Sequence, residues 1–322
     1  MVTTSVYQTW FVQKKLFETR LVYSIINRYA PRYYVVCKDG KPQLIFPLCR
    51  HQNKTSYSIW GGMNGFQLYD ILCLPELQSE EISAMVLFVL KKIRAASLQI
   101  QCLPESAMLY QAVLDLAEQK KIHLLSQPME NVMICADEGY ENYYAQLSKH
   151  TRQNLRTAYN RMKKDGISCS LEIVAGKPVP QKLFRDIMTV YYNRHASRYG
   201  VKTSTIKKYY LQWMDFSTRC LQQYPDNFAA VLYMGDCVAG FMAGMQDADG
   251  SRIIIPRLSI NEMFLKYSPG MVLINEAMQY LTEKTSISRL DLSKGAEQYK
   301  FAMGGNCYYT YSMQIELLEG DI

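Results

Sequence analysis

The spacing of apolar and polar positions changes period several times along the chain. Residues 34–48 read as an apolar run, the pair Asp39-Gly40, and a second apolar run; residues 230–244 repeat that plan around Gly235-Asp236. These turn residues tolerate the backbone angles of tight hairpins, so both segments predict paired antiparallel strands. Two unrelated hairpins and an internal repeat account for the likeness equally well.

Between the hairpins the period lengthens. Residues 81–96 and 107–120 carry helical spacing, with short strands predicted over 98–102 and 132–136, and Gly139 reads as a boundary. Residues 143–164 read as one helix ended by Asp165-Gly166, followed by a strand over 168–174 and helices over 180–197 and 205–221.

The last hundred residues are the most informative. A buried strand over 252–258 leads through a loop, 259–267, to Ser268-Pro269-Gly270. Serine as N-cap with proline at the first helical position is a strong helix start. Ile274, Ala277, Met278 and Leu281 then form the stripe of a helix packed on a sheet, and 287–292 is the next strand. Strand, helix and strand of these lengths make a parallel crossover unit, almost always right-handed. A short helix over 296–303, Gly304-Gly305 and a strand over 307–316 complete a mixed α/β pattern.

Composition narrows the class. The 322 residues are 48% hydrophobic, enough for a sizeable core, and their length suits two domains. Nine cysteines are scattered with no Cys-x-x-Cys pair, and four histidines show no ligand spacing, so no metal is expected. The longest apolar run, residues 84–90, is far short of a bilayer span, and no secretion signal opens the sequence. A cytoplasmic protein without a membrane span is expected. The formal charge of +7 is concentrated. Residues 142–164 contain no acid but carry Lys149, Arg152, Arg156, Arg161, Lys163 and Lys164. Lys149, Arg152, Arg156 and Lys163 share a helical face, read either as a solvated stripe or as a docking face for a phosphate-bearing substrate.

Candidate chemistry centres on the helix opening at Ser268. The backbone N–H groups of Gly270, Met271 and Val272 at its positive end would make an anion cradle suited to a pyrophosphate. The order Tyr267-Ser268-Pro269-Gly270 with Leu273, then Asp291-Leu292, Gly295, Tyr299-Lys300 and Gly304-Gly305, resembles the GNAT acyltransferase superfamily in its Fem-like branch. The likeness covers residues 140–316, and the N-terminal half resembles a degenerate copy of the same domain. The resemblance implies tandem GNAT-like domains, a degenerate one over 1–138 and a catalytic one over 139–322.

It also implies a transferase moving an acyl group from a thioester to an amine, with the donor arm between strands 252–258 and 287–292. Ser268, Gly270, Met271 and Val272 would then hold the acyl-CoA or acetyl-CoA phosphates, and Arg257 and Glu262 border the loop before them. Lys300 matches a lysine placed near the reacting carbonyl. Asp291 and Glu297 are candidate bases, and Tyr299 a candidate proton donor to the departing group. Three readings stay open: an acyl-CoA-dependent N-acyltransferase acting on an acceptor such as an amino sugar in surface-polysaccharide synthesis; a Fem-type enzyme using aminoacyl-tRNA; and a non-catalytic protein that keeps the fold.

Overall fold

A computed structural model describes residue 14 and residues 30–51, 55–60, 68–207 and 226–317. The helix expected over 205–221 lies largely outside them. The chain clusters into two compact units, one of residues 1–130 with 309–322 and the other of residues 131–308.

The first unit begins with the expected hairpin, β1 (Ala30–Lys38) and β2 (Lys41–Arg50), closed with Asp39 and Gly40 both at positive φ. β3 (Ser56–Ile59), which the sequence pattern did not single out, pairs antiparallel with β2, and the two-residue β4 (Leu72–Cys73) also pairs with β2. Helix α1 (Ser79–Lys92) then crosses over to β5 (Ser97–Pro104), which lies parallel to β3. Helix α2 (Met108–Glu118) follows, its first amides capped by Asp70 at 2.9 and 3.0 Å. Residues of β6 (Ile122–Cys135) up to 130 complete this half of the sequence.

The second unit repeats the plan. Helices α3 (Tyr140–Gln146) and α4 (Lys149–Lys164) precede β7 (Cys169–Ala175). The single helix expected over 143–164 is therefore two. Ser148 takes extended backbone angles and its hydroxyl accepts from Thr151 N at 3.0 Å, so it caps a new helix instead of continuing the old one. Helix α5 (Gln181–Tyr199) ends on Gly200 in the left-handed conformation. The hairpin of β8 (Asn227–Met234) and β9 (Cys237–Gln246) turns at Gly235, and β10 (Arg252–Ile260) runs antiparallel to β9. A 3₁₀ turn (Glu262–Tyr267) replaces most of the expected loop, then α6 (Pro269–Lys284) crosses to β11 (Arg289–Lys294), parallel to β10. The short α7 (Gln298–Ala302) and β12 (Gly305–Leu317) close the chain.

Hairpin, third antiparallel strand, crossover helix and parallel strand thus occur twice, which decides in favour of a repeat. Residues 131–135 of β6 pair antiparallel with β11 in the second unit, while residues 310–316 of β12 pair antiparallel with β5 in the first. Each unit is closed by a strand that belongs, in sequence, to the other half.

In the second unit helices cover both faces of the sheet. Phe228, Ala230 and Leu232 of β8 join α4 and α6 in one core; the intervening Ala229 and Val231 join Ile187 and Tyr191 of α5 in another. That alternation is the two-residue period of a strand buried on both sides. Fully burying one such aliphatic side chain contributes about 1.5–3 kcal/mol.

The two parallel strands separate early. β10 and β11 are in register from Arg252 with Arg289 to Ile254 with Asp291, and the ladder stops there. Pro256 has no N–H to donate, and the β9–β10 register shifts between Ile254 and Arg257. Proline inside a sheet belongs at such a bulge. Gly244 makes the bulge possible, because a Cβ there would stand 1.8 Å from the Ile254 carbonyl oxygen. Beyond the bulge β10 diverges, and a cleft opens.

Candidate active site

The cleft holds a cavity of about 580 Å³. Its floor is the far end of β10, Leu258, Ser259 and Ile260, with Leu265 of the 3₁₀ turn beside them. The start of α6, Ser268 to Met271, forms one wall, Arg194, His195 and Arg198 of α5 another, and Glu297 and Tyr299 a third.

The sequence places the start of α6 here through an unusual residue. Ser268 sits at φ 49°, ψ 52°, left-handed angles that cost a non-glycine residue about 1 kcal/mol or more. Its side chain makes no capping bond, contrary to expectation. Its carbonyl instead accepts from Met271 N at 3.0 Å and Val272 N at 3.1 Å. The expected three-amide cradle is thereby reduced. Met271 and Val272 are satisfied within the chain, Val272 is fully buried, and the Gly270 amide remains open at the cavity. The Ser259 hydroxyl, on a residue 4% exposed, has no hydrogen-bond partner among the described residues. A buried hydroxyl left unpaired costs about 1–3 kcal/mol.

The 3₁₀ turn before α6 is held by side chains. Glu262 of the 3₁₀ turn pairs with Arg194, and hydrogen bonds from Ser197 and Arg194 keep its carboxyl below the usual range. On the other side Asp165 accepts from Tyr267 Oη at 2.6 Å and Lys266 Nζ at 2.9 Å, while Arg161 donates to the Lys266 carbonyl at 3.0 Å. The turn is tied to both α5 and α4.

The expected catalytic residues divide into two groups. Tyr299 and Glu297 line the cavity, and burial, followed by the charge of Glu297, pushes the Tyr299 hydroxyl up to about 12. Lys300 and Asp291 do not line it. Lys300 is 3% exposed, and its Nζ donates to the carbonyls of Ser293, Lys294 and Gly295 at 3.2, 2.9 and 2.9 Å. Glu297 Oε2 lies 3.0 Å from the same nitrogen. An ammonium has three hydrogens, and these acceptors take them all. Asp291 is fully buried, accepting from Ser293 N at 2.8 Å and Tyr308 Oη at 2.6 Å, with Arg252 at 3.6 Å. Burial drives its pKa up, against the opposing hydrogen bond from Tyr308 and the charge of Arg252. The expected exposure of Asp291 to the cleft and of Lys300 to a reacting carbonyl gives way to a shared geometry: both brace the turn at Ser293–Gly295 that leads to Glu297 and Tyr299.

Arg257 is also turned away. Its guanidinium donates to Tyr191 Oη at 3.2 Å and lies 5.5 Å from that ring, inside the packing of β10 on α5. On α4, Lys149 and Arg156 are exposed and Arg152 donates to the Ala145 carbonyl at 3.0 Å; none of the three lines the cavity.

His195, Arg194, Arg198 and Ser259 were not among the site residues expected from the sequence. The available signal was Arg194-His195 followed by Arg198, three residues within about one turn at the end of a helix.

The segment that carries the hairpin, bulged strand and crossover helix of the second unit matches a family model in sequence. Residues 149–301 match the model described as the acetyltransferase (GNAT) domain. This segment, a little under half of the chain, is similar to a GNAT domain. Among solved structures, that of FemX matches with a TM-score of 0.56 at 10% identity, covering 92% of this chain and 90% of its own. A conserved protein of unknown function from Bacteroides thetaiotaomicron VPI-5482 matches with a TM-score of 0.57 at 7% identity, covering 94% and 90%. At such identities the likeness is one of fold, and it runs through both units. No curated protein sequence matches the chain.

Only the second copy of the plan has an open helix start. In the first unit the crossover helix α1 begins with Glu80 and Glu81, and Glu81 accepts from Gln78 N at 3.2 Å. Two carboxylates in the first turn oppose any anion there. Among the described residues no helix is long and apolar enough to cross a membrane, and no group of His, Cys, Asp and Glu is placed to hold a metal.

Proposed function

We propose that the GNAT-like segment transfers an acyl group from an acyl-CoA thioester, such as acetyl-CoA, to an amine. The observation that carries this reading is the cavity lined by the far end of β10, Glu297 and Tyr299, with the Gly270 amide open to it at the positive end of α6. These groups suit a donor with a phosphate at one end and polar amide and carbonyl atoms along its arm. Leu258, Ile260 and Met271 supply apolar wall between them.

The thioester supplies an activated acyl carbonyl. The chain's own contribution is chiefly positioning, which in well-oriented systems lowers barriers by about 7–11 kcal/mol. Gly270 N–H and the helix start hold the phosphates, with Ser268 and Met271 shaping the wall. Tyr299, still protonated at neutral pH, faces the cavity as proton donor to the departing sulfur. Glu297 orients the acceptor and steadies Lys300. Asp291 and Lys300 act through the turn they brace, and Arg257 and Val272 through packing.

The basic face of α4, with Lys149, Arg152 and Arg156, is proposed to dock a phosphate-bearing substrate. It favours a second reading, a Fem-type aminoacyltransferase whose donor is aminoacyl-tRNA, and the likeness to FemX across 92% of the chain supports the same direction. An amino-sugar acceptor for surface-polysaccharide synthesis remains the substrate class of the first reading.

Thermal melting of the full chain with acetyl-CoA, longer acyl-CoAs and bulk tRNA, paired with thiol release in the presence of amines, tests these readings. A rise in melting temperature with a CoA thioester and thiol release above background supports the first. No shift with any CoA compound but salt-sensitive tRNA binding supports the second. Stabilisation without thiol release identifies a binding protein that keeps the fold.

A further inference from the structure

The wall contributed by α5 is chemically unlike the rest of the cavity. Arg194 is matched by Glu262. Arg198 lines the same cavity, and among the described residues it makes no ion pair or hydrogen bond. Between them His195 is wedged edge-on against Tyr191, ring centroids 4.3 Å apart, and stacked on Tyr199 at 5.8 Å. An exposed cation with no ion pair among the described residues and an imidazole with fixed orientation therefore share one wall of the cavity.

Resting on the acyltransferase reading, we infer that this wall is the acceptor subsite, and that the acceptor is an amine bearing its own anionic group, carboxylate or phosphate. Arg198 binds the anion. His195 takes a proton from the amine. As the nitrogen bonds to the acyl carbon, the carbon–sulfur bond breaks with its electron pair on sulfur, one amine proton passes to the imidazole, and Tyr299 protonates the sulfur. Ordinary exchange with water then returns the imidazole proton to solvent and the lost proton to Tyr299.

The surroundings of His195 suit that task. Burial, then the positive charges of Arg257, Arg198 and Arg194, hold its pKa below the usual 6.5, so the ring is neutral and able to accept at pH 7. Glu262 faces Arg194 from the 3₁₀ turn, and Glu297 and Tyr299 stand in the α7 wall. Glu262 is matched by Arg194 and Glu297 by Lys300, which leaves Arg198 as the wall's uncompensated charge. The donor's phosphates have a separate place, at the start of α6.

Calorimetric binding of O-phosphoethanolamine against ethanolamine, and of β-alanine against propylamine, to the full chain without thioester tests the subsite independently of turnover. The expected result is at least tenfold tighter binding of one anionic amine than of its neutral partner, abolished by Arg198→Gln, with acetyl-CoA affinity unchanged in that variant. The phosphate and carboxylate pairs tell which anion is preferred. Equal binding of anionic and neutral amines, or an Arg198→Gln variant that loses acetyl-CoA and keeps the amine preference, overturns the inference. Thiol release measured on the same samples separates the two levels. Binding that behaves as expected without turnover defeats the acyltransferase reading and leaves the anionic-amine subsite standing. With turnover, His195→Gln is expected to lower kcat at least tenfold and remove the acid limb of the pH profile; an unchanged limb assigns the proton elsewhere and overturns the role of His195.

Discussion

Lys300 reaches back along the chain to Gly295, donating to its carbonyl at 2.9 Å and, with its other two hydrogens, to the carbonyls of Lys294 and Ser293. Gly295 itself stands at φ 105°, and a Cβ there would meet Glu297 Oε2 at 2.7 Å. One buried ammonium thus sets the turn between β11 and the cavity wall. Removing it leaves three carbonyls without their donor. Lys300→Met is expected to destabilise the fold by about 2–3 kcal/mol, read as a lower urea midpoint with an unchanged slope, and to lower turnover as the wall loosens. Normal stability with abolished turnover would instead put Lys300 on the substrate.

Gly244 lies under the bulge that separates the two central strands. A side chain there runs into the Ile254 carbonyl, and the neighbouring backbone cannot yield cheaply because it is itself the bulge. Gly244→Val should destabilise by about 1–3 kcal/mol or more and reduce binding of any cleft ligand. A variant with wild-type melting and wild-type binding would show that the bulge does not shape the cleft.

Ser148 divides what the apolar spacing suggested was one helix. Ser148→Ala removes the acceptor for Thr151 N, and a loss of about 1 kcal/mol is expected in equilibrium unfolding. The break itself should persist, since Tyr143 in the middle of α3 remains anchored to the Met303 carbonyl at 2.9 Å. Amide exchange at Thr151 reports the cap directly.

Acid should weaken the fold through His195. Its folded pKa is lowered, so as pH falls below 6.5 the unfolded chain binds the proton first. Stability present above that value is lost between 6.5 and the lower folded pKa, then levels off. Unfolding free energies at a series of pH values check the sign, and His195→Gln should remove this contribution to the slope. An identical slope in the variant would contradict it.

The parts legible in the sequence were those set by local rules. Asp39-Gly40 and Gly235 announced the hairpins, and Pro269-Gly270 with the Ile274 to Leu281 stripe announced the crossover helix, because turn geometry and helical spacing need only neighbouring residues. Ser148 was missed because an N-cap inside a long helical pattern looks like any polar position. Pro256 and Gly244 were available as signs of the bulge, but their meaning depends on each other, across a strand pair. The exchange of closing strands has no local signature at all. Lys300 and Asp291 were read as catalytic from their motif positions; burial and partners, which turn them toward the backbone, follow from packing alone. The same packing brings Arg198 and His195 to the cavity from a helix far away in sequence.

The acyltransferase reading turns on donor binding at the start of α6, and Gly270 offers a direct test. A Cβ there meets only Ile260 Cγ2 at an ordinary 3.6 Å, and a carboxylate in the first turn of a helix favours the helix by about 0.3–1 kcal/mol. Gly270→Glu should therefore fold as well as wild type while opposing a phosphate at the same place. Calorimetric titration of both proteins with acetyl-CoA is predicted to show binding by wild type and a loss of tenfold or more in the variant. Equal affinity in the two proteins, or no binding by wild type, would contradict the account.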